Sequence, residues 1–136
     1  MKYAYPAIFT AEDNGQYSVH FRDFDEGKYS CFTGGNDLTH AIEMAQDALC
    51  LTLYWMEQDG EPIPTPSEVN TVKTGDNEFV SLIACDTDFY RRFYESKAVK
   101  KNLTIPSWLN TMAENQKINF SHVLQEALKQ QLGINK

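Results

Sequence analysis

The stretch KKNLTIP, residues 100–106, decides the fold of the C-terminal part of this chain. Leu103 and Ile105 fall on one side of an extended segment and polar residues fall on the other, which is the period-two pattern of a strand. Pro106 ends that strand, because proline lacks an N–H group but fits the first turn of a helix. We therefore predict about five residues of strand at the end of the segment 98–105 and a helix from Pro106 to about Asn115.

A second helix follows the polar break Asn115-Gln116-Lys117. Either Asn119 or Ser121 can cap its amino end, and a glycine follows its last turn. Apolar residues recur at helical spacing in between, so the pattern predicts an amphipathic helix from Phe120 to about Leu132. The C-terminal segment 98–136 thus has the element order β-α-α.

A segment of 39 residues cannot bury enough apolar surface alone, since chains below about 40 residues usually need disulfides, a metal or oligomerisation. It contains no cysteine, which leaves oligomerisation. We expect the strands of two chains to pair antiparallel about a two-fold axis above a joint helical core. The predicted dimer core consists of Leu103, Ile105, Leu109, Val123, Leu124 and Leu128.

The outward side of such a two-stranded ribbon carries Lys100, Asn102 and Thr104. A two-stranded ribbon has the right width for the major groove of B-DNA, so these residues are candidates for reading bases. Unpaired N–H groups and the positive end of the helix dipole at the start of the second helix can hold an anion.

The C-terminal segment resembles the ribbon-helix-helix family of bacterial repressors, in KKNLTIP, in Trp108-Leu109 and in NFSHVLQEAL, residues 119–128. The resemblance implies that the three outward ribbon residues read bases. It also implies that the amino end of the second helix, Asn119, Phe120 and Ser121, holds a backbone phosphate. The family commonly has glycine between the helices, where this chain has 115–117; asparagine there tolerates the left-handed conformation.

Charge divides the chain into two dissimilar parts. Residues 1–90 contain four Lys or Arg against 16 Asp or Glu, a net charge of −12, whereas residues 91–136 contain eight against three, a net charge of +5. The opposite fields favour two partners of opposite charge character. A solvated basic helix is the alternative explanation of the C-terminal charge.

The N-terminal part is predicted to be a small α+β domain over residues 1–86. Three strands are predicted at 3–10, 16–21 and 29–33. The sequence Gly34-Gly35-Asn36-Asp37 is expected to end the strands and to cap a helix from Leu38 to about Gln58. The apolar run 79–85 predicts a buried strand, which gives the order β-β-β-α-β. The segment 87–97 is predicted as a short helical or irregular linker held against the domain by its aromatic residues.

The three cysteines, Cys31, Cys50 and Cys85, are widely separated and have no metal-ligand spacing with histidine. We expect reduced, buried side chains, no metal and no cofactor. The chain has no apolar run of membrane-spanning length and no signal peptide at its start, so we expect a cytoplasmic protein.

The whole chain resembles the HicB-type antitoxins, in YPAIFT (5–10), GQYSV (15–19), the Gly34-Gly35 entry to an alanine-rich helix and VKKNLTIP (99–106). The resemblance implies a degenerate, partial RNase H-like domain before a DNA-binding tail. It also implies a HicA-type toxin as partner, a small RNA-cleaving protein that must be basic to hold its substrate. The function implied is that of a type II antitoxin that neutralises this toxin and represses its own operon.

Asp23, Phe24, Asp25 and Glu26 are the candidate toxin-binding residues, because they form the most acidic short stretch that contains an aromatic residue. A simple exposed turn explains the same stretch. A free-standing repressor, whose first domain senses a ligand or oligomerises, is the alternative function.

A nuclease is a third hypothesis, because Asp23, Asp25, Glu26, Glu43 and Asp86 could supply metal-binding carboxylates. An RNase H-type enzyme needs one carboxylate on its first strand, and residues 3–10 contain none. We therefore expect no enzymatic activity and assign no catalytic residue.

Overall fold

The structure, a computed structural model, describes residues Met1–Ile134. The chain forms two compact units, residues 1–97 and residues 98–136, which we call the front unit and the tail unit. The tail unit begins at the residue where the sequence places the start of the DNA-binding segment. The predicted end of that segment, Lys136, lies outside the described residues.

The front unit contains a four-stranded antiparallel sheet and a long helix. The strands are β1 (Lys2–Ala11), β2 (Tyr17–His20), β3 (Phe32–Gly35) and β4 (Glu78–Asp86), and the helix α1 (Leu38–Asp59) lies between β3 and β4 in the chain. Single 3₁₀ turns occur at Asp13–Gly15, Arg22–Phe24 and Val69–Thr71. The strands lie in the order β3-β2-β1-β4, so the predicted α+β class and the β-β-β-α-β order are confirmed.

One face of the sheet, which we call the inner face, is covered by α1. Tyr5, Ala7 and Phe9 alternate along β1 and are fully buried in one cluster with the helix. The residues that α1 contributes recur at helical spacing: Ala41, Ala45, Leu49 and Leu53. Full burial of each large apolar side chain stabilises the fold by about 1.5–3 kcal/mol, so this layer is the main source of the front unit's stability.

Helix α1 begins and ends close to the predicted residues. The Asp37 side chain accepts a hydrogen bond from the His40 N–H at 2.8 Å, which is the expected amino-terminal cap. Gly60 ends the helix in the left-handed conformation, with φ of 69°. No helix within Met1–Ile134 is long and apolar enough to cross a lipid bilayer.

The predicted position of the third strand, 29–33, is wrong. The paired strand is Phe32–Gly35, with Phe32 opposite His20 and Gly35 opposite Tyr17. The two glycines thus belong to the strand. A Cβ atom on Gly35 would lie 2.3 Å from the backbone nitrogen of Ala41, so glycine is required there because β3 passes directly against the first turns of α1.

Cys31, Cys50 and Cys85 are buried and form no disulfide, as the sequence predicts. A hydrogen bond between the Cys50 and Cys85 side chains, together with burial, raises the pKa of the Cys85 thiol. That thiol therefore stays protonated and acts as a small apolar side chain in the core.

The segment 87–97, predicted as a short helical or irregular linker, contains the helix α2 (Thr87–Tyr94) and belongs to the front unit. Tyr94 stacks on Tyr54 of α1 with ring centroids 5.5 Å apart, and Tyr90 packs against the core. Phe89 and Phe93, which were expected to pack as well, are exposed. They lie one turn apart on the solvent side of the helix, because α2 buries only its tyrosine side.

The tail unit contains two helices, α3 (Ser107–Asn115) and α4 (Phe120–Leu132). The first was predicted to begin at Pro106 and begins one residue later, with Pro106 as its cap, and Gly133 ends the second with φ of 73°. The strand predicted at the end of the segment 98–105 is absent from the single chain, in which these residues form no hydrogen-bonded ladder. The N–H and C=O groups of a strand need hydrogen-bond partners on a neighbouring strand, and residues 98–134 contain no such strand.

The turn between α3 and α4 differs from the sequence expectation. Asn115 is still helical, and the left-handed residue is Lys117, with φ of 56°. A side chain with a Cβ atom adopts this conformation at a cost of about 1–2 kcal/mol. The turn is closed by hydrogen bonds from the Lys117 N–H to the Glu114 carbonyl and from the Ile118 N–H to the Ala113 carbonyl.

Candidate functional site

The tail unit presents its apolar side chains to solvent. None of its residues from 98 to 134 is buried. The predicted dimer core is exposed at five positions, with Leu103 at 66%, Val123 at 51% and Leu128 at 52%, and only Leu124 is half-buried. The remaining two, Ile105 and Leu109, are exposed as well.

An open apolar groove of about 510 Å³ runs along the tail unit. It brings together four of the six predicted core residues: Leu103, Ile105, Val123 and Leu124. Phe120, assigned from the sequence to phosphate binding, also lines the groove with its side chain. Its ring is therefore available for apolar packing, and only its backbone N–H remains available for an anion.

The amino end of α4 has the features of an anion site that the sequence predicts. Asn119 is the cap, and its side-chain oxygen accepts a hydrogen bond from the His122 N–H at 3.1 Å. The N–H groups of Phe120 and Ser121 have no acceptor among the described residues. Two free donors at the positive end of the helix dipole favour a phosphate oxygen.

The candidate base-reading residues Lys100, Asn102 and Thr104 are all exposed. Their side chains form no hydrogen bond or ion pair within the part of the chain that the structure describes. They alternate with Leu103 and Ile105, whose side chains line the groove. The apolar residues of the segment thus face the helices of the tail unit.

The acidic stretch 23–26 does not form a single contact surface. Phe24 is 1% exposed and packs on Tyr5, with ring centroids 4.8 Å apart, so its prediction as a surface anchor is wrong. Asp23 is half-buried and accepts hydrogen bonds from the Ser67 N–H, at 3.0 Å, and from the Ser67 hydroxyl. The Asp23–Ser67 hydrogen bonds hold the Pro-rich connection 60–68 against the domain.

Tyr5 shows how tightly this corner is packed. Its hydroxyl donates a hydrogen bond to the Pro64 carbonyl. Burial, reinforced by the nearby Asp23 carboxylate, raises the pKa of Tyr5 to about 12. The phenol therefore remains a neutral donor that holds the connection in place.

Asp25 and Glu26, by contrast, are exposed. Asp25 pairs with the His20 ring nitrogen at 2.7 Å. His20 lies on the face of the sheet opposite α1, which we call the outer face. Asp25 thus lies beside a surface that the sequence analysis did not single out.

The outer face carries an apolar row across all four strands. Phe32 of β3 lies opposite His20, His20 lies opposite Ile8, and Ile8 lies opposite Val80 of β4. The Phe32 and His20 rings stack with centroids 4.6 Å apart. Leu82, on the same face, lies opposite Pro6.

Carboxylates border this row, and we call them the acidic rim. Glu78 accepts a hydrogen bond from Thr10 at 3.1 Å, Glu12 accepts one from Ser18, and Asp25 pairs with His20. Thr10, Ser18 and His20 all lie on the outer face. The pattern was readable in β1, where Ala4, Pro6 and Ile8 are apolar on the side away from α1.

The carboxylates considered for a nuclease do not converge. Asp23 binds Ser67, Asp25 binds His20, and Asp86 caps α2 by accepting from the Asp88 N–H. Within Met1–Ile134, no group of three or more His, Cys, Asp or Glu residues is placed to hold a metal ion.

Solved structures share this fold. The chain aligns with a protein of a toxin–antitoxin complex from Streptococcus pneumoniae over 96% of its own length and 99% of the other, with 27% identity and a TM-score of 0.59. It also aligns with the antitoxin HicB of Burkholderia pseudomallei over 98% of both chains, with 19% identity and a TM-score of 0.51. The second likeness shows the fold alone.

Sequence comparison gives the family. Residues 5–127 match the HicB-like antitoxin of bacterial toxin–antitoxin systems, and the chain therefore belongs to that family. The antitoxins HicB of Escherichia coli K12 and O157:H7 are each 36% identical to it over 67 residues. This match spans 49% of the chain and 46% of each of these relatives, less than half of their length.

Proposed function

We propose that this protein is a type II antitoxin with two separate binding surfaces. The front unit binds and neutralises a HicA-type mRNA-cleaving toxin, and the tail unit binds operator DNA as a homodimer to repress its own operon. Neither surface performs catalysis in this proposal. The observation that carries it is family membership combined with a tail unit in which no residue from 98 to 134 is buried in the single chain.

Dimerisation of the tail unit follows from its lack of a core. Because none of its residues from 98 to 134 is buried, the tail unit gains little from the hydrophobic effect as a single chain, although α4 is capped at both ends by Asn119 and Gly133. Pairing of two 98–105 segments supplies each with the strand neighbour that the single chain lacks. It also covers the groove lined by Leu103, Ile105, Val123 and Leu124.

DNA binding follows from that pairing. With Leu103 and Ile105 turned towards the helices, Lys100, Asn102 and Thr104 face outward from the ribbon, where they can reach base edges. The free N–H groups at the start of α4 supply a phosphate contact. The positive charge of residues 91–136 attracts the DNA backbone, and operator binding places the action of the protein in the cytoplasm.

Toxin binding rests on the family and on charge. The Streptococcus pneumoniae relative of this fold comes from a toxin–antitoxin complex. A protein that cleaves RNA presents a basic surface to its substrate, and the net charge of −12 over residues 1–90 suits such a partner.

The DNA-binding half is tested with Lys100→Ala and Asn102→Ala. Each is expected to weaken binding about 10-fold or more, because a lost base contact costs about 1–3 kcal/mol and occurs twice in a dimer. Binding is measured by fluorescence anisotropy on duplexes tiled across the promoter of the protein's own gene. Lys73→Ala, which removes one positive charge from the front unit, is the matched control and should change affinity little.

Toxin affinity should be unchanged in both tail variants, since they lie in a different unit from the toxin surface. Wild-type affinity for DNA in Lys100→Ala and Asn102→Ala would contradict the ribbon as the reading surface. Loss of toxin binding in the same variants would contradict the separation of the two surfaces.

A further inference from the structure

We propose that the toxin binds the outer face of the sheet, with Phe32 and Leu82 as apolar anchors and the acidic rim beside the apolar row. This inference rests on the proposed function and specifies where the toxin binds. It replaces the stretch 23–26 as the contact surface and keeps only the part of it, Asp25, that borders the outer face.

The outer face has the apolar centre that a stable interface needs. Phe32 and Leu82 are 60% and 58% exposed and lie on the two edge strands, β3 and β4. His20, Ile8 and Val80 form the floor between them. Three strand spacings of about 4.8 Å place the two edges about 14 Å apart, a separation that a small globular partner can span.

The anchors are costly to leave in water. A large apolar side chain stabilises a complex by about 1.5–3 kcal/mol when it is fully buried, and binding energy concentrates in a few such residues at the centre of an interface. The stack of Phe32 on His20, and the His20–Asp25 pair, fix the position of the anchor before binding. A pre-positioned side chain loses less conformational freedom on association.

The acidic rim selects a basic partner. Glu12 and Glu78 are held by Ser18 and Thr10 along one side of the apolar row, and Asp25 is held by His20 within it. Carboxylates at the edge of an interface attract a positively charged protein and raise its association rate. A second copy of the front unit carries the same negative charge, so self-association through this face is opposed.

The test measures toxin affinity by surface plasmon resonance. The probe is the toxin encoded beside this protein's gene, purified from the denatured complex and refolded. The full-length double variant Phe32→Ser/Leu82→Ser should bind at least about 100-fold more weakly than wild type, given about 2 kcal/mol or more for each anchor. Circular dichroism confirms that the variant is folded, as expected for two exposed positions.

The matched control is Trp55→Ser/Phe93→Ser. These residues are also exposed aromatics of the front unit, at 46% and 74%, but they lie on α1 and α2, on the other side of the sheet. Toxin affinity should stay within about threefold of wild type. Glu12→Gln/Asp25→Asn should lower the association rate about 10-fold at low salt and much less at high salt.

The outcomes separate the two proposals. If wild-type protein binds the toxin and Phe32→Ser/Leu82→Ser binds equally well, the outer face is not the toxin site although the proposed function stands. The inference also fails if only the control double variant loses affinity for the toxin. It fails likewise if Phe32→Ser/Leu82→Ser changes the oligomeric state of the protein but leaves its toxin affinity unchanged. If wild-type protein does not bind the toxin, the proposed function itself is wrong.

Discussion

Leu128→Asp and Val123→Asp are each expected to convert the protein from a dimer into a monomer and to abolish operator binding. Both side chains are about half exposed in the single chain. At an exposed position of a monomer, such a change alters stability by about 0.5 kcal/mol or less. In a dimer core it buries a carboxylate without a partner, which costs several kcal/mol.

The expected loss of stability is therefore much larger if these positions lie in a dimer core than if they lie on the surface of a monomer. We expect the dimer to lose about 4 kcal/mol or more and operator affinity to fall beyond detection, since a monomer presents no ribbon. Sedimentation equilibrium measures the association state, and fluorescence anisotropy measures DNA binding.

Gln125→Asp is the matched control for these variants. Gln125 is exposed on α4, lies nearly opposite Val123 on the helix, and does not line the apolar groove. The substitution introduces the same charge with the same helix propensity and should leave a DNA-binding dimer. Dimers that persist in Leu128→Asp, or equal damage from Gln125→Asp, would refute the predicted core.

Gly35→Ala is expected to destabilise the front unit by about 3 kcal/mol or more. The added methyl group would lie 2.3 Å from the Ala41 nitrogen and 2.5 Å from its Cα atom. Both atoms belong to the backbone of α1, so the overlap can be relieved only by moving the helix away from β3. Such overpacking costs about 1–3 kcal/mol where neighbouring side chains can move aside. Here the overlapping atoms are backbone, so the cost should reach or exceed the upper end of that range.

The loss of stability on substitution by alanine should decrease from Gly35 to Gly34 to Gly27. A Cβ atom on Gly34 would lie 3.1 Å from the Tyr17 carbonyl oxygen, and one on Gly27 would meet nothing closer than 3.7 Å. We expect a moderate loss for Gly34→Ala and about 0.5 kcal/mol or less for Gly27→Ala. Hydrogen–deuterium exchange of peptides from β3 and α1 reports on the front unit separately from the tail.

An equal effect of all three alanine substitutions would show that β3 does not lie against α1 as described. Faster exchange in the tail peptides of Gly35→Ala would show that the two units unfold together. Neither result is expected, since the close contact of Gly35 lies wholly within the front unit.

Local signals in the sequence were enough to predict the helices α1, α3 and α4. Asp37 and Asn119 cap α1 and α4 as expected, and Gly133 ends α4 at the predicted residue. Such features act within one turn of the backbone, so no knowledge of distant residues is required to interpret them. The order of elements in the front unit follows from the same kind of pattern.

Predictions that depend on distant residues were less accurate. Gly34 and Gly35 were predicted to end the strand, but both are paired within β3. Glycine is required at Gly35 because the backbone of α1 lies too close for a Cβ atom. Phe24 sits in an acidic stretch, yet its ring is buried against Tyr5, which is 19 residues earlier in the chain. No local pattern reveals a contact of that kind.

The two surfaces differ in the same way. The tail surface is contained in 39 consecutive residues, so periodicity could identify its apolar and polar sides. The outer face combines residues of four strands, and its acidic rim depends on pairs such as Thr10 with Glu78. Its detection requires the strand order β3-β2-β1-β4, which the sequence pattern did not provide.

Rescue of bacterial growth tests most directly whether this chain neutralises a toxin. The HicA-type toxin gene that the proposed function places beside this protein's gene is induced in bacterial cells with and without the full-length protein, and growth is followed by optical density. We predict arrest with the toxin alone and restored growth with wild-type protein or Asn102→Ala. Continued arrest in cells that accumulate folded, soluble wild-type protein would contradict its function as an antitoxin for that toxin.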